Sequence, residues 1–482
     1  MTDKKLKVAI IGAGISGLTT AHYLQRKAAE RNLPIETAIY EGEERHGGKI
    51  ITEKKHGFIC EGGPNGFLDN KTGMLNLARE IGLEDELAPS NEQASKRFLL
   101  CNDQLHQVPE SPPAFFLSPI MSPWGKIRIV GELFTKTPQG TADETIAEFG
   151  RRHIGSEAVE KLLDPMVTGI FGGDVHSLSL RSCFPRMAEL EQQHGSLIRA
   201  MIRLQKQKKK AAPGAEKAGP AGPGGKLFSF KEGMETIIRK LADEIGADRI
   251  HTSSPLSGIE EKRGNGNLQF VLTFGENGGN TIVADVAVLA IPAFSAKIVL
   301  KSFDEELAGE AGGIPYAPMA VVCLGFSSAS VGNQLKGFGY LVPRREGKKL
   351  LGSLWSSSIF PNRAPGGSIL LRNMMGGARD IKTPFLEDDA LTEIVLEELR
   401  PILQIKGRPA FVSIFRWRNA IPQYLVGHGA RVQKIEDILR VRHPGFFITG
   451  NAFRGVAMND CVENSMNTAD QVIEYITEKH SK

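Results

Sequence analysis

Cysteine is scarce in this chain: only five occur in 482 residues, Cys60, Cys101, Cys183, Cys323 and Cys461. An odd number of widely separated thiols excludes a disulfide-stapled scaffold and shows no pair at metal-ligand spacing, so the reading is of reduced thiols in a cytosolic compartment. Long apolar runs are also missing. None reaches the ~18 residues needed to cross a bilayer, and the opening MTDKKLKVAIIGAGISG has no apolar signal core before its first strand-like run. The expectation is a cytoplasmic protein, soluble or peripheral on a membrane face. Charge of one sign is lacking too. With 59 Lys and Arg against 55 Asp and Glu, the net +4 is too small to imply a nucleic-acid partner. Glycine and proline are plentiful instead, 53 and 26 residues, about 16% of the chain against a usual level of about 12%. The length suggests about three domains.

Lys7 to Ile11 is an almost wholly apolar run that ends at a glycine cluster, as expected of a central parallel strand. Leu18, Ala21, Leu24 and Ala28 then recur at helical spacing, Asn32 and Pro34 end the pattern, and Ile35 to Tyr40 reads as a second strand. A βαβ start of this kind predicts a doubly wound α/β sheet. Between its first strand and helix lies Gly12-Ala13-Gly14-Ile15-Ser16-Gly17, a GxGxxG loop. Gly12 allows the tight turn, Gly14 lets backbone approach a pyrophosphate, and Gly17 lets helix and strand pack closely. The helix amino terminus supplies N–H groups and the positive end of its dipole. Glu41, 29 residues beyond Gly12 at the end of the next strand, is placed to accept from the ribose hydroxyls of a dinucleotide.

Further along, Glu110 to Leu204 is Pro-rich apolar sequence leading into helix-like sequence, and Lys206 to Gly225 is a basic run followed by Gly, Pro and Ala without periodicity. Candidate strands at Asp285 to Ile291, Met319 to Phe326, Ser368 to Met374 and Gly445 to Thr449 follow, and Val462, Met466, Ala469, Val472 and Ile476 mark a last helical face. The expected organisation is α/β, or α+β overall: a discontinuous Rossmann-like doubly wound dinucleotide-binding domain (1–85, 226–300, 436–482) and a mixed-sheet substrate domain (86–109, 301–435). A mostly helical insertion (110–204) that contacts a membrane and a flexible loop (205–225) complete it. His153, His176 and His194 are too scattered to suggest a metal site, and no metal is expected.

The residues after Glu41 decide the cofactor. Glu41, Gly42, Arg45, Gly47, Gly48 and Lys49 in EGEERHGGKI resemble the ExxxRxGG signature of the FAD-dependent amine oxidase and protoporphyrinogen oxidase superfamily, and GNAFRGVAMNDC from Gly450 resembles its flavin-closing segment. Within it the chain resembles the protoporphyrinogen oxidase family along nearly its whole length, through GGPNGFLDN at Gly62, KRFLL at Lys96, LLDPMVTGIFGGDVHSLSL at Leu162, GFGYLVP at Gly337, LGSLWSSSIFPNRAP at Leu351, MMGGARD at Met374 and IPQYLVGH at Ile421. The resemblance implies noncovalent FAD. Beyond the motif residues above, it places Gly63, Pro64, Asn65, Gly66, Leu256, Trp417, Val456, Ala457 and Met458 beside the cofactor. The family usually has glycine near Ser465, a departure that bears on how closely that last helix can pack.

The same resemblance implies that Arg97 grips a substrate propionate, that Leu341 and Leu354 sandwich one pyrrole, and that Met374 faces another. Gly169 would present its carbonyl to the macrocycle, and Asn65 would lie near both flavin and substrate. It implies oxidation of protoporphyrinogen IX in haem biosynthesis: six electrons leave in three flavin cycles, oxygen is the acceptor, and hydrogen peroxide is released. A peripheral membrane contact through Phe115, Phe116, Leu117, Ile120, Met121 and Trp124, hand-off to a ferrochelatase and a homodimer are further expectations, with no nucleic-acid partner. Coproporphyrinogen III, with four propionates, is the alternative substrate. An amine oxidase, a carotenoid desaturase and a noncatalytic flavin-bound assembly protein stay open beside it.

Overall fold

The computed structural model describes residues 5–135, 142–210, 225–264, 267–275, 279–332 and 335–480. The opening apolar run is the strand Leu6–Ile11, followed by the helix Ile15–Glu30 and the strand Ile35–Tyr40. These strands join a parallel five-stranded sheet whose spatial order is Ile250–His251, Ile35–Tyr40, Leu6–Ile11, Val286–Leu289, Phe446–Ile448. Side-chain alternation assigns its two faces. Val8, Ile10, Val286 and Val288 pack with the helices Ile15–Glu30, Glu235–Ile245 and Met458–His480. Ala9, Ile11, Ala287 and Leu289 pack with the helices Ala293–Leu300, Glu305–Gly312 and His428–Arg442 and with an antiparallel ribbon of Leu256–Gly264, Asn267–Phe274 and Thr281–Ala284. Both faces are covered, so the strands read as continuous apolar runs and the sheet is doubly wound.

The second large sheet has seven strands in the order Phe411–Pro422, Tyr316–Ser327, Ser368–Gly376, Leu350–Leu354, Gly339–Leu341, Arg97–Cys101, Gln104–Gln107. It is mixed, because Gly339–Leu341 runs parallel to Arg97–Cys101 while its other pairings are antiparallel. One face carries Ala320, Val322, Leu324, Leu371 and Met375 and is sealed by Leu391, Val395 and Leu399 of the helix Asp388–Leu403. The opposite face is turned toward the glycine turns of the first unit.

Between these sheets in sequence come the helices Pro112–Leu117, Pro123–Val130, Ile146–His153, Asp164–Phe171, Pro185–His194 and Leu197–Lys210. The last of these corrects the expected start of the loop. Residues 205–210 are helical because Gln and Lys are good helix formers and the Gly and Pro residues begin only afterwards. The rest of the expected loop, 211–224, lies outside the described residues.

Candidate active site

Gly12 sits at φ +103°, and a Cβ there would lie 2.7 Å from the Ala290 carbonyl oxygen. At Gly17 a Cβ would lie 1.8 Å from the oxygen of Gly12, so no side chain fits between loop and helix. Gly14 is different: nothing lies within 4 Å of the position its Cβ would take, and as N-cap of the helix Ile15–Glu30 it has no side chain to cap the first turn. The loop thus has a packed side and an open one, and the open side presents helix N–H groups to an anion.

The second turn is laid on the first. The Gly47 N–H donates to the Ala13 carbonyl at 2.7 Å, and a Cβ on Gly48 would sit 3.4 Å from the Gly14 Cα. Arg45 donates to the carbonyls of His46, at 3.0 Å, Gly48 and Ile50, at 3.3 Å, so its guanidinium closes this turn from within. Lys49 Nζ donates to the Ala420 carbonyl at 2.6 Å and lies 4.8 Å from the centre of the Tyr316 ring. Burial pushes its ammonium down to about 8. Glu41 Oε2 accepts the Ala13 N–H at 2.7 Å and Oε1 the Glu43 N–H at 3.0 Å, which leaves each oxygen a further lone pair. The Ser254 N–H donates to the Glu41 carbonyl at 2.7 Å, so the segment leading to Leu256 runs alongside Glu41 and Gly42.

The third turn, Gly62 to Gly66, is held between two layers. A Cβ on Gly63 would lie 1.9 Å from the Lys49 oxygen, one on Gly62 would lie 2.5 Å from Phe415 Cδ1, and one on Gly66 would lie 2.4 Å from the Phe228 oxygen. Trp417 Nε1 donates to the Gly62 carbonyl at 2.8 Å, while Arg372 donates to the carbonyls of Glu61 at 3.0 Å and Gly63 at 2.7 Å. Pro64 and Asn65 remain half-buried, and the buried Nδ2 of Asn65 has no hydrogen-bond partner.

The carboxy-terminal segment closes the same region. Val456 packs against the helical insertion, and Met458 opens the helix Met458–His480 and packs on the core of the parallel sheet. The Ala457 N–H donates to Asp460 Oδ2 at 3.2 Å, so this helix caps part of its own first turn. Ser465 lies near the place where the resembled family usually has glycine, and its hydroxyl is shared between the Cys461 carbonyl of its own helix at 2.7 Å and the Ser16 carbonyl at 3.0 Å. A serine is small enough for the close approach of the two helices and adds a bond across it.

Sheet register collects the expected substrate residues. Arg97 is opposite Gly339, Gly339 opposite Leu354, and Leu354 opposite Arg372; two residues along, Leu341 is opposite Gly352 and Gly352 opposite Met374. Neighbours in register and residues two apart share one face of a sheet, so Arg97, Leu341, Leu354 and Met374 all stand on the face that also carries Trp417 and Phe415. Gly169, in the helix Asp164–Phe171, is pressed onto this face: a Cβ on it would lie 2.8 Å from Leu341 Cδ2. Arg379 fixes that helix with bonds to Asp164 at 2.7 Å and Thr168 at 2.9 Å. Leu341, Leu354 and Met374 are only half-buried, although the opposite face of the same sheet is closed. Arg97 is exposed and lies 5.6 Å from the centre of the Phe338 ring.

Residues 15–473 match the profile of a family described as flavin-containing amine oxidoreductases. The chain belongs to that family. It is 34% identical to the chloroplastic protoporphyrinogen oxidase 1 of Arabidopsis thaliana, over 97% of this chain and 88% of that one. To the coproporphyrinogen III oxidase of Bacillus subtilis it is 30% identical, over 99% and 100%. A crystal structure assigned as a protoporphyrinogen oxidase from Exiguobacterium sp. 255-15 superposes with TM-score 0.81 at 25% identity, covering 97% of this chain and 99% of that one. The cyclohexylamine oxidase of Brevibacterium oxydans shares the fold, with TM-score 0.67 at 18% identity over 99% and 100%.

This flavin-containing amine oxidoreductase is therefore an FAD-dependent enzyme, and its residues fit the cofactor. The open side of Gly14 is a space that a Cβ would occupy, and the unpartnered Nδ2 of Asn65 is a buried donor awaiting an acceptor. Among the described residues no group of three or more His, Cys, Asp and Glu is arranged to hold a metal ion. His153 is a satisfied core residue between Glu132 and Glu191. Sequence reasoning missed Arg372. Its signal was available, since it precedes Met374 by two residues in a strand and so shares its face.

Proposed function

We propose that the chain oxidises protoporphyrinogen IX to protoporphyrin IX. The observation that carries this reading is the half-open apolar face of Leu341, Leu354 and Met374, flanked by the cation Arg97 and facing the Gly62–Gly66 turn. A flat tetrapyrrole bearing carboxylate tails needs such a pairing of apolar surface and guanidinium. Arg97 holds a propionate, Leu341 and Leu354 hold one pyrrole, Met374 another, and the Gly169 backbone limits how far the ring can slide. These residues orient a carbon of the macrocycle and exclude water; none need act as acid or base. FAD, when bound by the three glycine turns, by Glu41 and Lys49, and by the segments at Leu256 and Val456 to Met458, supplies the hydride acceptor. Removal of six electrons takes three rounds, each returning two electrons to oxygen and releasing hydrogen peroxide.

Relatives named coproporphyrinogen III oxidase in Bacillus subtilis and Staphylococcus aureus support a second reading, the four-propionate substrate. The deciding experiment is anaerobic reduction of the bound flavin by each porphyrinogen, side by side. Faster bleaching by protoporphyrinogen supports the first reading, and bleaching by coproporphyrinogen alone overturns it. Arg97→Ala should raise KM at least tenfold while leaving FAD content unchanged.

No helix of the described residues is long and apolar enough to cross a membrane. Of the residues expected to touch a membrane, Ile120 and Met121 are buried in a core with Leu99 and Ala158, but the exposed Phe116, Leu117 and Trp124, joined by Ile127 and Phe134 beside Lys126 and Arg128, support a peripheral contact on the cytoplasmic face, where an apolar product could pass to a ferrochelatase. A homodimer belongs to the same reading.

A further inference from the structure

The Gly62–Gly66 turn is gripped from the sheet side by every carbonyl of Glu61, Gly62 and Gly63. Arg372 takes the first and third, at 3.0 and 2.7 Å, and Trp417 the second, at 2.8 Å. Of the donors of the turn, the Gly62 N–H goes to the Ile51 carbonyl at 3.0 Å, while Asn65 Nδ2 lies buried without a partner. Arg372 is itself only 6% exposed, and both of its bonds go to neutral carbonyls. The Glu61 carboxylate is engaged elsewhere: it accepts from Thr52 Oγ1 at 2.8 Å and from the Met234 N–H at 2.9 Å, and pairs with the buried Arg363 at 3.3 Å. The Glu61 carboxylate thus pairs with Arg363, while the Arg372 guanidinium sits directly under the turn against backbone carbonyls. A fixed, buried cation acts over a longer range than a solvated one, because little water screens it.

We propose that Arg372 is a positioning residue for the flavin: it holds the Glu61–Gly63 backbone so that Asn65 faces the cofactor, and its charge favours the reduced, more negative flavin over the oxidised one. This rests on the reading that the Gly62–Gly66 turn faces FAD, and not on the identity of the substrate. Trp417 shares the first task and not the second.

The test uses the full-length protein reconstituted with FAD and measures FAD affinity and the two-electron midpoint potential. Arg372→Gln should weaken FAD at least tenfold. It should also lower the preference for reduced over oxidised flavin about tenfold, which for a two-electron couple is about 30 mV downward. Arg372→Lys keeps the charge but cannot span both carbonyls, so it should weaken FAD and leave the potential in place. Trp417→Phe should weaken FAD severalfold, again with the potential unmoved. Wild-type affinity and potential in Arg372→Gln would overturn the proposal, as would an equal fall in potential in Trp417→Phe. Should Arg372→Gln fail to fold, wild-type FAD affinity in Arg372→Lys overturns it. No readout needs a substrate: a protein that passes this test yet is reduced by no porphyrinogen defeats the proposed function alone, and a wild-type chain that takes up no FAD defeats the premise here.

Discussion

The cofactor cradle and the helical insertion solve opposite packing problems. In the cradle, backbone meets backbone: Gly17 against Gly12, Gly63 against Lys49 and Gly48 against Gly14, with carbonyls as the main acceptors. In the insertion, charged side chains do the holding. Glu132, 1% exposed, accepts from His153 Nδ1 at 2.8 Å, Ser196 Oγ at 2.6 Å, and the N–H groups of Leu197 and Ile198 at 2.6 and 3.0 Å. His153 reaches Glu191 on its other nitrogen, and Arg152 links Glu191 to Glu144. The first region must leave room for a ligand, so it uses residues without side chains. In the second, one carboxylate anchors the start of the helix Leu197–Lys210 while the outer face keeps its apolar residues in solvent.

The comparison breaks hardest at Glu132. Glu132→Ala leaves four donors without their acceptor, two of them on the buried His153 and Ser196, and should cost about 3–5 kcal/mol, read as a fall in the urea midpoint, with FAD affinity of the surviving folded protein unchanged. Burial pushes the Glu132 carboxyl up, but the bonds from Ser196, His153, Ile198 and Leu197 outweigh it and hold it below its ordinary value. Its contribution is therefore complete above the ordinary carboxylate range and is lost as pH falls through the lowered value; an acid limb of the same depth in Glu132→Ala would refute that role.

Next come the two glycines of the first loop. Gly17→Ala sets a Cβ against a backbone oxygen and should cost more than about 2 kcal/mol, whereas Gly14→Ala should keep stability within about 0.5 kcal/mol and weaken FAD at least tenfold. Equal urea midpoints for these two variants would erase the distinction between the packed and open sides.

A smaller effect is expected at Lys49, whose ammonium burial pushes down to about 8. An anionic diphosphate raises that value, so FAD binding takes up a proton above about pH 8, and affinity should fall as pH rises through that point. Titration calorimetry in two buffers measures the uptake; no proton uptake would remove Lys49 from the cofactor site. The smallest change is expected on the outer face of the insertion. Leu117→Ser with Trp124→Ser should alter stability by no more than about 1 kcal/mol in all and reduce co-sedimentation with anionic vesicles. Unchanged sedimentation would assign those side chains to some other role.

The glycine-rich turns and the doubly wound sheet were legible because each is written locally: the GxGxxG loop between an apolar run and a helical stripe, and strands announced by short runs such as Ile35–Tyr40 and Phe446–Ile448. The helix Met458–His480 showed its face through Val462, Ala469, Val472 and Ile476, all buried. Arg45 is legible in the sequence as a signature residue, but its use inside the turn is not, because it depends on where the carbonyls of His46, Gly48 and Ile50 point. The roles of Glu132 and His153 were hidden for a related reason: the partners of Glu132 lie 21 and 64 residues away.

By itself, then, the sequence determined the secondary-structure alternation, the dinucleotide loop and the family, since these depend on spacing along the chain. Only the tertiary structure decided which residues meet. Register between the strands Arg97–Cys101, Gly339–Leu341, Leu350–Leu354 and Ser368–Gly376 puts Arg97, Leu341, Leu354 and Met374 on one face, and it is the same register that turns Arg372 under the Gly62–Gly66 turn. A slip of one residue in any of those pairings would send the side chains of that strand to the opposite face, and the sequence of no single strand records which pairing is made.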